Sequence, residues 1–197
     1  MSTSDEYFKR YDMLKSLLVE AYINIYAIEE IDRYNHSIIT EKMALTKSSL
    51  GILSHICDLL KSDLGNIIWK LYYDQDSDTN TIKHLNTFIY KNYANSIGTI
   101  RMPKMSLSDN LKNVGNELII LRNNFLSHNA TDRSGISIQI DDLKTIVEEL
   151  KNKLNGLCLP TVDARVTPIT NQQLQALKLD VSFGLGIMIN QSTFPVI

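Results

Sequence analysis

Several residue types that mark particular protein classes are scarce in this sequence. Cysteine occurs only as Cys57 and Cys158, about a hundred positions apart, which suits neither a disulfide framework nor the paired ligands of a structural metal site. No apolar run approaches the ~18 residues that a membrane-spanning helix requires. The formal net charge is only -2, which excludes a protein that coats nucleic acid through bulk positive charge. Any contact with RNA must therefore be local.

The first ten residues carry acids where a secretory signal peptide would carry positive charge, and no uninterrupted apolar core follows them. We therefore expect a cytoplasmic protein with reduced thiols and no membrane association. His55 and Cys57 are separated by one residue, so they point to different faces of a helix and cannot both ligate a metal without help. We expect Cys57 to pack in the core, and we expect neither a metal nor a cofactor.

Helical periodicity dominates what is present. From about Asp5 to Tyr34, apolar residues recur at alternating steps of three and four, as on one face of a helix, and Asn35 to Ser37 predicts a turn. Four further segments with similar spacing follow: residues 40–73, with Gly51 and Gly65 as breaks or close crossings; a shorter helix capped by Thr79 or Asn80; a helix from Ser108 with heptad spacing; and a helix capped by Asp141 and stopped by Gly156.

These segments predict an all-α fold, an up-and-down bundle of four to five helices over residues 1–156. The composition changes after Gly156, where three of the four prolines and only four charged residues lie. We therefore treat residues 157–197 as a C-terminal extension of unknown role, with a short helix over 170–178 and an extended segment over 181–189. Its apolar end, Phe183 to Ile189, needs to be covered by the same domain or by a second subunit.

Arg122 and His128 are the residues that best suit a chemical role. A neutral histidine can take the proton from a ribose 2′-hydroxyl near pH 7, since its unperturbed pKa is ~6.5. An arginine stays charged and stabilises negative phosphoryl oxygens through paired hydrogen bonds. Together they suit cleavage of an RNA phosphodiester without a metal.

Their spacing has a geometric consequence. Positions six apart on one helix diverge by ~120° and rise by ~9 Å, so a straight helix does not aim both side chains at one point. Two arrangements solve this. The heptad face of the helix packs against a symmetry mate and forms a composite cleft, or the helix ends at Ser127 and His128 swings back.

The run from Leu121 to Asn129, late in a helix of an all-helical chain, resembles the signature of the HEPN superfamily and, more closely, its abortive-infection branch. The resemblance covers roughly residues 5–156. It implies a metal-independent endoribonuclease, usually dimeric, that acts as a toxin or phage-defence effector. By this resemblance Arg122 and His128 are catalytic, and Asn123 supports or orients them.

Regulation by an antitoxin protein is a possible part of the resemblance. Some HEPN toxins are silenced by a partner nucleotidyltransferase that modifies a tyrosine two positions after the histidine, but this chain has Ala130 there. That departure puts this type of antitoxin pairing in doubt.

Two alternatives remain open at the level of sequence. One is a non-catalytic HEPN module that binds RNA, a nucleotide or a partner protein. The other is an ordinary helical dimerisation domain in which Arg122 pairs with Glu117 or Glu148 and His128 is a polar residue at a helix C-terminus, where positive charge is favoured.

Overall fold

A computed structural model describes residues 2–41, 47–74, 79–97, 103–126 and 138–192. All regular structure in these ranges is helical, which confirms the predicted all-α class. The helices are α1 (Thr3–Glu41), α2 (Lys47–Ile68), α3 (Ile82–Ile97), α4 (Asp109–Leu126), α5 (Ile140–Asn155) and α6 (Asn171–Ser192). A π-helical turn, Trp69–Tyr73, continues α2. None of the helices in these ranges combines the length and apolarity that crossing a membrane demands.

α1 is the central helix of the fold, and α2, α3, α5 and α6 all pack against it. Its inward positions are almost fully buried: Tyr7, Tyr11, Leu14, Leu18, Ala21, Ile25, Ile28 and Ile31. The predicted turn at residues 35–37 is wrong, because α1 continues to Glu41. Asparagine, histidine and serine each cost only ~0.5–0.7 kcal/mol in a helix interior, and neither glycine nor proline is present there to stop it.

α2 is continuous through both of its glycines, so neither breaks the helix as one of the predicted alternatives required. Gly65 is buried and Gly51 is exposed, with open space where a Cβ would lie. The backbone hydrogen bonds change from α-helical to π-helical spacing only after Ile68. There the Asp74 amide donates to the Trp69 carbonyl, five residues earlier, at 3.0 Å. This π-helical turn directs Tyr72 into the core, and its hydroxyl accepts a hydrogen bond from the Leu107 amide at 3.1 Å.

Two predicted helix starts are displaced. Thr81 caps α3 in place of Thr79 or Asn80, since its hydroxyl accepts a hydrogen bond from the His84 amide at 3.2 Å. Gln139 stands at the N-cap of α5 without a side-chain hydrogen bond, and Asp141 lies in the first turn. There its carboxylate favours the positive end of the helix dipole instead of capping it.

Gly156 ends α5 as predicted, but in an ordinary right-handed conformation, with φ of -66°. The reason for glycine is space: a Cβ at this position would lie 2.9 Å from Cγ of Pro103. The segment before α4 therefore closes over the end of α5. Burial of the inward face of α5, Leu143, Ile146, Val147, Leu150 and Leu154, is confirmed.

The strap, residues 157–170, carries core residues of its own: Leu157, Leu159, Val166 and Ile169 are buried in the same cluster as the helices. The Tyr7 hydroxyl donates to the Leu157 carbonyl at 2.7 Å and accepts from the Leu159 amide at 2.8 Å. These two bonds tie the strap to α1. The division of the chain at Gly156 stays a prediction about domain organisation.

α6 is one helix of 22 residues. The expected extended segment over 181–189 is therefore wrong. The positions that turn toward the bundle recur with helical spacing: Leu174 is buried, and Leu177, Val181 and Leu185 are partly buried. Strand-like alternation of glycine with apolar residues had obscured this spacing.

Candidate functional site

α4 carries the predicted catalytic residues near its C-terminal end. Leu111, Gly115 and Leu118 are buried, so they define the face of α4 that meets the bundle. Position 122 lies four residues after Leu118 and seven after Gly115, which places its backbone on the same face at ~100° per residue. The next residue, Asn123, has an exposed side chain.

The structure describes only part of the predicted site. The backbone of Arg122 lies in α4, but its side chain is outside the described part of the chain, as are Ser127 and His128. The distance between the Arg122 guanidinium and the His128 imidazole therefore stays a prediction. Asn123 is the member of the predicted set whose side chain is described.

One alternative role for Arg122 is weakened by the surroundings of its supposed partner. Glu148 accepts a hydrogen bond from the Tyr22 hydroxyl at 2.6 Å and pairs with Lys151 at 2.5 Å. Both of its carboxylate oxygens thus have a partner on α1 or α5. Burial raises the pKa of Glu148, but the hydrogen bonds from Lys151 and Tyr22 outweigh it and hold that pKa below its usual value.

Part of the heptad stripe of α4 is already buried within the single chain. Leu111 and Leu118 are buried, and α4 packs against α2 and α5. Packing of the heptad face against a second copy stays a prediction, and these two positions are occupied by the chain itself. Heptad spacing identifies an apolar seam, but it does not say whether the partner helix belongs to the same chain.

A contact that sequence reasoning missed lies on the same face of α4. The ring of Tyr73, from the π-helical turn, lies directly against Gly115, and a Cβ there would overlap the tyrosine hydroxyl. That hydroxyl is buried and has no hydrogen-bond partner within the described residues. Burial raises its pKa above the usual value. A glycine on the buried face of a helix was the available signal, but nothing local pointed to Tyr73.

A groove of about 620 Å³ lies between α1, α5 and α6 and contains charged side chains. Glu29 pairs there with Lys144 and, at 2.8 Å, with Lys178. Burial raises the pKa of Glu29, but hydrogen bonds from the two lysines more than compensate and keep it below its ordinary value. Because these charges satisfy one another, we interpret the groove as a junction that fixes α6 against α1 and α5.

The described ranges contain two free cysteines but no cluster of metal ligands. No group of three or more histidine, cysteine, aspartate or glutamate side chains there could hold a metal ion. Cys57 packs in the core, as expected from its position in an apolar helix. Burial, with a smaller contribution from Asp32, raises the pKa of its thiol to about 11, so it stays protonated near neutral pH.

Comparison with known proteins returned no relative: no family model, no curated protein and no solved structure matches this chain. The candidate site is accordingly defined by its own residues and by the helix that carries them. The chemistry of Arg122, Asn123 and His128 is the remaining guide to function.

Proposed function

We propose that the chain is a metal-independent endoribonuclease of the HEPN type, which acts in the cytoplasm as a toxin or phage-defence effector. The observation that carries the proposal is the run from Arg122 to His128. It begins near the end of the fourth helix of an all-α chain, after two long helices and before a further helix. A HEPN-like up-and-down bundle with RNA as substrate belongs to the same proposal.

The proposed reaction uses only groups of the chain and the RNA. His128 takes the proton from the ribose 2′-hydroxyl, and the 2′-oxygen attacks the adjacent phosphorus. Arg122 stabilises the negative charge on the phosphoryl oxygens, and Asn123 orients the pair. The bond from phosphorus to the 5′-oxygen breaks, and that oxygen receives the proton that His128 had taken. The products are a 2′,3′-cyclic phosphate and a 5′-hydroxyl, so the step needs no external reactant.

The position of Arg122 on the bundle-facing side of α4 supports this assignment. An arginine carried by a packed helix starts from a fixed backbone position, and its charged fork of donors matches a phosphate. His128 reaches the same phosphate if the chain turns after Leu126 or if a second copy supplies it. A homodimer is therefore part of the proposal.

The test is RNA cleavage in excess EDTA by the wild-type protein, Arg122→Ala and His128→Ala. We expect each substitution to lower the rate by ~10²-fold or more, because each removes a group that acts in the transition state. Matched controls are Arg33→Ala on α1 and His55→Ala on α2, since both side chains are exposed. Both controls should keep the wild-type rate.

Equal cleavage by all five proteins would contradict the assignment, since the activity would then belong to other residues or to a contaminant. A wild-type protein that binds RNA but leaves it intact would favour the non-catalytic module. Thermal unfolding of each variant should show an unchanged midpoint, so that lost activity is not lost folding.

A further inference from the structure

α6 is apolar on two opposite faces. Leu174, Leu177, Val181 and Leu185 turn toward the bundle. On the far side Leu179, Phe183 and Ile187 are 70%, 73% and 42% exposed. A helix that is apolar all round is normally covered on all sides. Nothing in the described chain covers this outer face.

The outer stripe, Leu179, Phe183 and Ile187, is also free of charge along most of its length. No residue from Val181 to Ser192 is charged. Helices that bind anionic membrane surfaces carry several lysines and arginines beside the apolar face, whereas α6 has only Lys178, which pairs with Glu29. A strongly charged partner protein would find no complementary group there. An equally uncharged apolar surface fits best, and α6 itself offers one.

We propose that α6 is the homodimer interface, in which two copies of the chain pair antiparallel through the outer stripe. The stripe is spaced evenly about Phe183, so a twofold axis near Phe183 places Leu179 of one copy against Ile187 of the other. Open space at Gly186, where no atom lies within 4 Å of a Cβ position, lets the two helices approach closely.

Charge favours the antiparallel arrangement over the parallel one. Asp180 lies ~60° from the centre of the outer stripe, beside the contact. In a parallel pair the two Asp180 carboxylates would lie at the same height along the contact, and like charges repel. In an antiparallel pair they are offset along the helices by ~9 Å (six residues at ~1.5 Å each), and each is level with the uncharged Gly186 of the other copy. Lys178 is held on the inner side by Glu29, so it does not enter the contact.

The area is sufficient for a dimer of modest affinity. An aromatic side chain alone carries ~150–250 Å², so three largely exposed apolar side chains leave a patch on the order of 300–400 Å² per copy. A twofold pair covers that patch twice, and the flanking polar residues bring the total near the ~1,000–1,200 Å² lower end of specific interfaces. We therefore expect a dissociation constant on the order of micromolar.

This inference rests on the homodimer in the proposed function and names its surface, but it does not depend on RNA cleavage. Leu111 and Leu118 of α4 are buried within the chain, whereas the outer stripe of α6 is exposed. Molecular mass tests the interface and RNA cleavage tests the activity, so failure of one is distinguishable from failure of the other.

The first experiment is sedimentation equilibrium of the full chain from ~0.1 to 100 µM, a range that brackets micromolar dissociation constants. We expect a shift toward twice the 22.4 kDa of one chain. Phe183→Lys puts two positive charges near the twofold axis and should weaken the dimer by ~30-fold or more. Tyr90→Lys is the matched control, because Tyr90 is a similarly exposed aromatic residue on α3, and it should change the dissociation constant less than ~3-fold.

A wild-type protein that stays monomeric at ~100 µM would overturn the proposal, since micromolar affinity would populate the dimer there. So would a dimer that Phe183→Lys leaves intact. Leu179→Lys serves as a second disrupting variant, with circular dichroism to verify that each variant keeps its helices.

The second experiment tests orientation by cross-linking with a short bis-maleimide. Leu179→Cys is mixed with Ile187→Cys, and the mixture should cross-link faster than either variant alone, because residues 179 and 187 of different copies are opposed only in the antiparallel pair. In that pair the two residues 179 are offset along the helices by ~12 Å (eight residues at ~1.5 Å each). Faster cross-linking within each single variant would contradict the antiparallel arrangement.

Discussion

α5 and the C-terminal end of α4 are consecutive along the chain but differ in role: α5 packs in the core, and the end of α4 carries candidate catalytic residues. α5 buries five aliphatic residues on one face, and its charged residues Glu148, Lys151 and Lys153 are engaged in hydrogen bonds and ion pairs. α4 begins in the same way with Leu111 and Leu118, but its last two turns bring Arg122 and Asn123 into the helix. Packing residues and candidate catalytic residues therefore occupy different positions along these helices, so substitutions should separate stability from activity.

The largest effect on the packed side is expected for Leu150→Ala. Leu150, on α5, is fully buried in the core, and truncation of such a leucine costs ~2–5 kcal/mol through lost burial and a residual cavity. Urea unfolding should show this loss. Cleavage per folded molecule should stay at the wild-type level. Met13→Ala, at an exposed position of α1, is the control and should cost little.

The contact of Gly115 with Tyr73 allows packing to be tested on α4 itself. Gly115→Ala places a methyl group where the Tyr73 hydroxyl lies, and overpacking of this kind costs ~1–3 kcal/mol, partly offset by ~1 kcal/mol of helix propensity. Tyr73→Phe removes the overlapping oxygen, so the double variant should regain part of the loss. Additive effects in this double-mutant cycle would show that the two residues do not touch.

The hydrogen bonds between Tyr7 and the strap are a further test of packing, with an expected loss of stability of similar size. Tyr7→Phe removes the hydroxyl that joins the Leu157 carbonyl to the Leu159 amide and leaves both buried groups without this partner. A loss of ~1–3 kcal/mol is expected on thermal or urea unfolding. Amide hydrogen exchange should quicken first at Leu159. A loss below ~0.3 kcal/mol would mean that the strap is not secured by Tyr7.

The smallest effect is a pH dependence of the free energy of unfolding, which arises where the strap meets the first turn of α1. Asp163 accepts hydrogen bonds from Arg165 and from the Ser4 hydroxyl at 2.6 Å, and these hold its pKa well below the usual range. Its contribution to stability is therefore complete above the unfolded-state pKa of ~3.9 and is lost as the pH falls from there through the lower folded-state value. Asp163→Asn should flatten the stability profile in that acidic window only. A profile unchanged there would contradict the role of this ion pair.

How far the sequence predicted the fold differs from helix to helix. α1 and α5 were predictable because a single apolar face repeats at helical spacing and polar residues fill the other side. α6 was missed over residues 181–189 because apolar residues on two faces erase that period. The extension of α1 beyond Tyr34 was missed because turn-forming residues are tolerated inside a helix that already packs.

The candidate site was predictable in its residue types and not in its geometry. The chemistry of Arg122 and His128 follows from their side chains, and the helical position of Arg122 follows from periodicity. The contact of Tyr73 with Gly115 joins residues 42 positions apart (115 minus 73), and the relation of Arg122 to His128 depends on the path of the chain after Leu126 or on a second copy. Such non-local geometry leaves no periodic trace in a single sequence.

In the proposed mechanism the 2′-hydroxyl of the RNA itself attacks the phosphorus. The chemical identity of the product ends tests this step. Wild-type protein is incubated with a 5′-labelled RNA in EDTA, beside a copy of that RNA with a 2′-deoxy residue at each cleaved nucleotide. We expect 2′,3′-cyclic phosphate and 5′-hydroxyl ends from the RNA, and no cleavage at the deoxy positions. Products with 5′-phosphate ends, or equal cleavage of both substrates, would contradict it.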